Sequence, residues 1–185
     1  MATEEFELFY GRPSDENRIM GEAESATYDF LDKTGITYHT LCHKAAYTME
    51  ECEAVRNKIG APVFKNLFLT NKQHSQFYLL MMPAGKPFKT KYLSGQLGCA
   101  RLSFATTEEM MELLHISPGS VSPLGLIHDK EGKVKLIVDK DLTSNVKYAC
   151  HPCVNTASVC LDLHDLLDVV VPATSHHYTW VEMPV

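Results

Sequence analysis

The chain lacks four short signatures that mark common kinds of covalent, metal or nucleotide chemistry. It has no G-x-S-x-G nucleophile elbow, no H-E-x-x-H zinc helix, no Walker loop and no G-x-G-x-x-G fingerprint. An enzyme built on this sequence would therefore have to work by positioning substrate and water. No apolar run approaches the ~20 residues that a membrane helix needs. The start, MATEEFELFYGR, is acidic and aromatic, unlike a signal peptide or a basic transit peptide. Repeats, low-complexity tracts and obvious linkers are also missing, so 185 residues read as one domain. A chain of that length can bury roughly two thirds of its unfolded surface. Basic residues are in deficit, 17 against 23 acidic, which gives a net charge of −6.

Six cysteines (Cys42, Cys52, Cys99, Cys150, Cys153, Cys160) are scattered through a chain too long to need a disulfide framework. Reduced thiols in a cytoplasmic setting are the expectation. The negative net charge does not exclude an anionic partner, because association follows the local field. Lys86, Lys89 and Lys91 fall within six residues, with Lys65, Lys72 and Arg101 nearby, while acidic residues gather in 4–32, 50–53 and 162–168. The lysine group is either an anion-facing surface or an ordinary solvated loop.

Residues 1–20 read as an N-terminal extension, 21–170 as the main domain and 171–185 as a C-terminal extension. An amphipathic helix begins near Glu22 and stops at Thr34-Gly35, followed by a strand over 36–41. Thr48 with Glu51 has the form of a capping box and opens a helix to Ile59-Gly60. Strands over 64–69 and 76–82 flank the polar turn 71–75 as a hairpin. A short helix over 92–97 is stopped by Gly98, a strand covers 101–104, and Thr106 starts a helix to about His115. Further strands fall at 134–138, 147–149 and 158–163, with a closing helix near 164–169. This irregular mixture predicts an α/β chain of the α+β type, with a curved, mainly antiparallel mixed sheet and packed helices.

Three places carry candidate chemistry. Gly119-Ser120-Val121-Ser122-Pro123 lies in a Gly/Ser/Pro-rich stretch that neither helix nor strand would adopt. It is either a connection or a loop that presents backbone groups to a ligand. Lys65 interrupts an apolar strand and shares a face with Leu67 and Leu69. It must either reach water at the strand's end or point into a polar pocket, because an unpaired buried ammonium is too costly. A phosphate or carboxylate would supply its partner there. Cys150-His151-Pro152-Cys153 could be a thiol–disulfide pair or half of a zinc site. The next residues, Val154 to Val159, read as a turn into a strand, not the helix a redox motif needs, and Cys42-His43 makes a poor second pair of ligands. His151, beside Asn155 and Thr156, fits the wall of a hydrogen-bonding site better. His176-His177 reads as surface.

Together these places resemble the YbaK/ProX family of aminoacyl-tRNA deacylases, in order and spacing, across roughly residues 22–170. The family's fold is a mixed α/β domain around a strongly curved sheet. Its chemistry is hydrolysis of the ester that joins an amino acid to the terminal adenosine of tRNA. By position the resemblance implies that Lys65 holds the terminal nucleotide or its phosphate, with Asn66 adding a hydrogen bond. It puts the aminoacyl group on the 119–123 loop, with Gly119 and Ser120 next to the reaction and Val121, Ser122 and Pro123 binding. His151 would shape the amino-acid pocket with Tyr47, Met49 and Asn155, and Lys86, Lys89 and Lys91 would meet the tRNA backbone. Neither a cofactor nor a metal is implied. The implied partner is mischarged tRNA(Pro), with prolyl-tRNA synthetase as a further one, and neither membrane nor DNA. Alanine is the expected amino acid, although Ser122-Pro123-Leu124 departs from the Thr-Pro-Phe of many alanine-specific relatives. Rival readings are cysteine removal, a tRNA- or synthetase-binding module without activity, and a redox protein using Cys150 and Cys153.

Overall fold

The computed structural model describes residues 6–14, 18–144 and 147–184. In chain order its elements are β1 (Glu7–Tyr10), α1 (Glu22–Thr34), β2 (Tyr38–Cys42), α2 (Met49–Ile59), β3 (Lys65–Asn71), β4 (Phe77–Met82) and α3 (Thr90–Leu97). Next come β5 (Leu102–Phe104), α4 (Thr107–Leu114), β6 (Val134–Asp139), β7 (Lys147–Cys150), β8 (Ala157–Asp162) and β9 (Tyr178–Val181). Short 3-10 turns occupy Pro123–Ile127 and Lys140–Ser144, and a closing helical stretch over 163–173 widens at Leu166–Val170.

The unbroken apolar run of β4 sets the depth of the fold. A strand with both faces covered has no polar side to show. Phe77, Leu79 and Met81 enter one hydrophobic cluster while Tyr78, Leu80 and Met82 enter another. Burying six such side chains contributes gross stabilisation on the order of 10 kcal/mol. The larger cluster lies between this sheet, α1, α4, β8 and the closing helical stretch. The smaller one packs under α3. A third cluster seats α2, through Val55 and Ile59, on Leu41, Ala149 and Cys160 of the other sheet.

The strands form two sheets where the sequence suggested one. A four-stranded sheet runs β1-β2-β8-β7, wholly antiparallel. A five-stranded sheet runs β5-β3-β4-β6-β9, antiparallel from β5 to β4 and parallel from β4 to β9. They touch through an isolated bridge between Val63 and Ala149, where the Ala149 N–H donates to the Pro62 carbonyl at 3.0 Å. No helix among the described residues is long and apolar enough to cross a membrane.

Local signals in the sequence act as expected. Thr48 and Glu51 complete a capping box, as do Thr106 and Glu109. The helix-closing glycines sit at Gly35, Gly60 and Gly98. The two segments read as extensions each supply an edge strand, β1 beside β2 and β9 beside β6.

Candidate active site

A cavity of about 370 Å³ opens at the seam between the two sheets. Its five-stranded side contributes Lys65 and Asn66 from the first two positions of β3. Its four-stranded side contributes His43 just after β2, Cys150 and His151 at the end of β7, and Ser158 on β8. Between them stand Gly119 and Val121 of the 117–122 loop, and Asn155. Apolar walls come from Ala46, Val55, Val63 and Phe64, with the Phe64 ring stacked on Tyr148 at 4.6 Å between centroids.

Lys65 is half-buried at the strand's beginning, and its ammonium donates to the Lys86 carbonyl at 2.7 Å. A backbone carbonyl leaves an ammonium charge unneutralised and two N–H donors unspent. Asn66 ties three elements together. Its Nδ2 donates to the Val121 carbonyl at 3.1 Å and to the Tyr148 hydroxyl at 2.8 Å. The Tyr148 hydroxyl in turn donates to Asn66 Oδ1 at 3.1 Å. The amide therefore fixes the loop against both sheets. Gly119 adopts φ +90°, a left-handed conformation in which a side chain would be strained. A Cβ there would come within 4.0 Å of Asn155 Nδ2.

The two cavity histidines are held alike. His43 Nδ1 lies 2.7 Å from the Lys44 carbonyl, and His151 Nδ1 lies 2.8 Å from the Ala157 carbonyl. Carbonyls only accept, so both Nδ1 atoms carry hydrogen. Burial lowers the pKa of each ring; for His43 the neighbouring His151 lowers it further, against the pull of the Lys44 carbonyl. Both rings are neutral at pH 7, with Nε2 a hydrogen-bond acceptor. His43 Nε2 takes the Ser158 hydroxyl at 2.9 Å, and the two ring centroids are 6.2 Å apart.

A family model of the aminoacyl-tRNA editing domain matches residues 43–169. The chain belongs to that family. ProX, the prolyl-tRNA editing protein of Acetoanaerobium sticklandii, is 31% identical over 162 residues, 88% of this chain and 98% of that protein. The prolyl-tRNA synthetase associated domain-containing protein 1 of Danio rerio is 31% identical over 141 residues, 75% of this chain and 76% of its own. A solved structure described as a candidate trans-editing enzyme for prolyl-tRNA synthetase superposes with TM-score 0.67, over 90% of this chain and all of that one. At 16% identity that likeness speaks for the fold.

Of the residues singled out from the sequence, this editing domain brings Lys65, Asn66, Gly119, Val121, His151 and Asn155 to one cavity. Others lie elsewhere. Ser120 is wholly buried, and its hydroxyl donates to the Ser117 carbonyl at 2.9 Å, so it braces the loop from behind. Ser122 is equally buried and caps the following turn by accepting from the Leu124 N–H, while Pro123 is buried as the turn's first residue. Tyr47 is 82% exposed outside the cavity lining, where Ala46 stands instead. The Met49 side chain lies outside the described residues.

Lys89 and Lys91 are exposed, but Lys86 is not a surface cation. Its ammonium contacts Asp139 at 2.9 Å and Asp141 at 2.7 Å. His176 is also buried, with Nε2 2.9 Å from the Asp129 carboxylate, whereas His177 is exposed. The docking of β9 on β6 draws His176 inward. Burial holds both cysteines of the Cys150–Cys153 pair as thiols, pushing Cys153 up to about 11 and Cys150 higher still. That environment opposes the thiolate that exchange or zinc ligation requires. His43 and Ser158 were missed as a pair. Ser158 is the lone hydroxyl in the apolar strand Ala157-Ser158-Val159-Cys160-Leu161, and that was the available signal.

Proposed function

We propose that the chain is a trans-editing hydrolase that removes alanine from mischarged tRNA(Pro) in the cytoplasm, working alongside prolyl-tRNA synthetase. The observation that carries this reading is the cavity itself. A half-buried ammonium, Gly119 and Val121 of the 117–122 loop and two neutral histidines converge there, in a chain of the editing family. Lys65 is suited to hold a phosphate oxygen of the terminal nucleotide, since its carbonyl partner leaves the charge available. The 119–121 backbone would steady the carbonyl oxygen as negative charge develops on it. A water then attacks the carbonyl carbon, the bond to the ribose oxygen breaks, and that oxygen takes a proton. The neighbouring ribose hydroxyl orients the water. An aminoacyl ester is already activated, so positioning and charge stabilisation suffice for it.

The selection problem explains why such a protein exists. A synthetase pocket made for proline also admits alanine, and one or two methylenes are worth only ~1–3 kcal/mol of discrimination. A second site that admits alanine and rejects proline supplies the rest. The decisive experiment measures deacylation of alanyl-, cysteinyl- and prolyl-tRNA(Pro) by wild type and by Lys65→Ala. Rapid loss of alanine alone, abolished by the substitution, supports the reading. Preferential loss of cysteine changes the substrate, and no hydrolysis of any ester leaves a binding module.

A further inference from the structure

Resting on that editing reading, we infer that Ser158, oriented by His43, and His151 form a subsite for the α-ammonium of the aminoacyl group. The inference follows from proton placement. Ser158 has one hydroxyl hydrogen, and His43 Nε2 takes it at 2.9 Å because Nδ1–H is committed to the Lys44 carbonyl. The Ser158 oxygen can then offer only lone pairs to the cavity. His151, its Nδ1–H committed to the Ala157 carbonyl, likewise offers a lone pair at Nε2. Ser158 and His151 both line the cavity, beside each other on the four-stranded side. On this wall Ser158 and His151 thus present two acceptors.

A group that carries several N–H bonds and a positive charge complements such a wall, and an α-ammonium is that group. The opposite wall carries Lys65, a cation suited to phosphate. The cavity thus sorts the two ends of its substrate by charge, the nucleotide to the five-stranded sheet and the ammonium to the four-stranded one. His43 does not touch the substrate in this arrangement. It is a positioning residue that turns Ser158 from a mixed donor–acceptor into an acceptor.

The test compares alanyl-tRNA(Pro) with lactyl-tRNA(Pro), in which a hydroxyl replaces the ammonium at nearly unchanged shape. Charge-assisted hydrogen bonds of this kind are worth about 10- to 100-fold in kcat/KM. Ser158→Ala should lower the alanyl-over-lactyl preference of the wild type by about that factor. His151→Gln, whose amide oxygen still accepts, should keep the preference, and His151→Leu should lose it. A structural role for Ser158 would depress both esters equally and leave the ratio intact, and that result overturns the subsite while the editing function stands. Wild type that cleaves neither ester overturns both.

Discussion

The buried pair of Lys86 and Asp139, with Asp141 reaching in from the surface, offers the sharpest test of how the site is held. Lys86→Met keeps a long apolar stem and removes the ammonium. Asp139, with none of its surface exposed, then keeps its hydrogen bond from the Asp141 N–H at 3.1 Å and loses its cation. Breaking one side of a buried ion pair costs about 3–5 kcal/mol, because the remaining charge stays desolvated. Each kcal/mol is worth ~2–4 °C in a chain of this size, so Tm should fall by roughly 6–20 °C. Lys86→Met combined with Asp139→Asn removes the orphaned charge and should recover much of the loss. Thermal and urea unfolding at pH 7 measure Lys86→Met, Asp139→Asn and the double variant. A single-variant cost below about 1 kcal/mol, or a double variant additive within ~0.5 kcal/mol, would refute the reasoning. The pH arm has a definite sign. Burial alone would lower the Lys86 pKa, but the hydrogen bonds to Asp141 and Asp139 override it and raise it above the ordinary 10.5. A raised folded-state value gives stability that is complete below 10.5 and lost as pH climbs through the higher value. The wild type's advantage over Lys86→Met should therefore hold through neutral pH and shrink in strong alkali. Activity should fall with stability, since the Lys86 carbonyl anchors Lys65.

Two further outcomes are expected. Gly125→Ala places a Cβ 2.4 Å from Ile116 Cδ1 and 3.0 Å from Leu114 Cβ, so it should cost about 1–3 kcal/mol in urea midpoint. Ile116→Val removes the nearest of those atoms and should rescue part of the loss; no rescue would place the strain elsewhere. His128 is held down at about 4, by burial first and then by His115, whose ring stacks on it at 4.2 Å, and by Lys130. Protonation therefore favours the unfolded chain, and stability should be intact above 6.5 and drain as pH falls from there toward 4. His128→Gln should flatten that acid slope in a Tm-versus-pH series, and an unchanged slope would assign it to other groups.

Much of the molecule was readable residue by residue because the signals were local. The capping boxes at Thr48 and Thr106 and the two-faced apolar run of β4 need only neighbours to act. Lys65 was legible as an anomaly, a cation at the head of an apolar strand. Lys86 was not, because its aspartate partner lies 53 residues away and a lysine among lysines looks like surface. The His43–Ser158 pair spans 115 residues and was hidden for the same reason. The division into two sheets depends on which strands pair, which alternation within a strand does not encode. The edge strands β1 and β9, four residues each, carry too little pattern to be recognised alone.

The seam location of the cavity has a consequence for quality control. Its two walls belong to different sheets, and its polar groups come from both ends of the family-matched stretch, from His43 to Ser158. A nascent, nicked or half-opened copy holds at most one wall. Under the proposed function such a copy is silent, not indiscriminate, because neither wall alone can grip an ester and aim a water at it. Destabilising changes thus reduce the number of working molecules without widening the range of esters they attack. Under the proposed function, which destroys one tRNA ester and spares the rest, an intact seam is the licence to act.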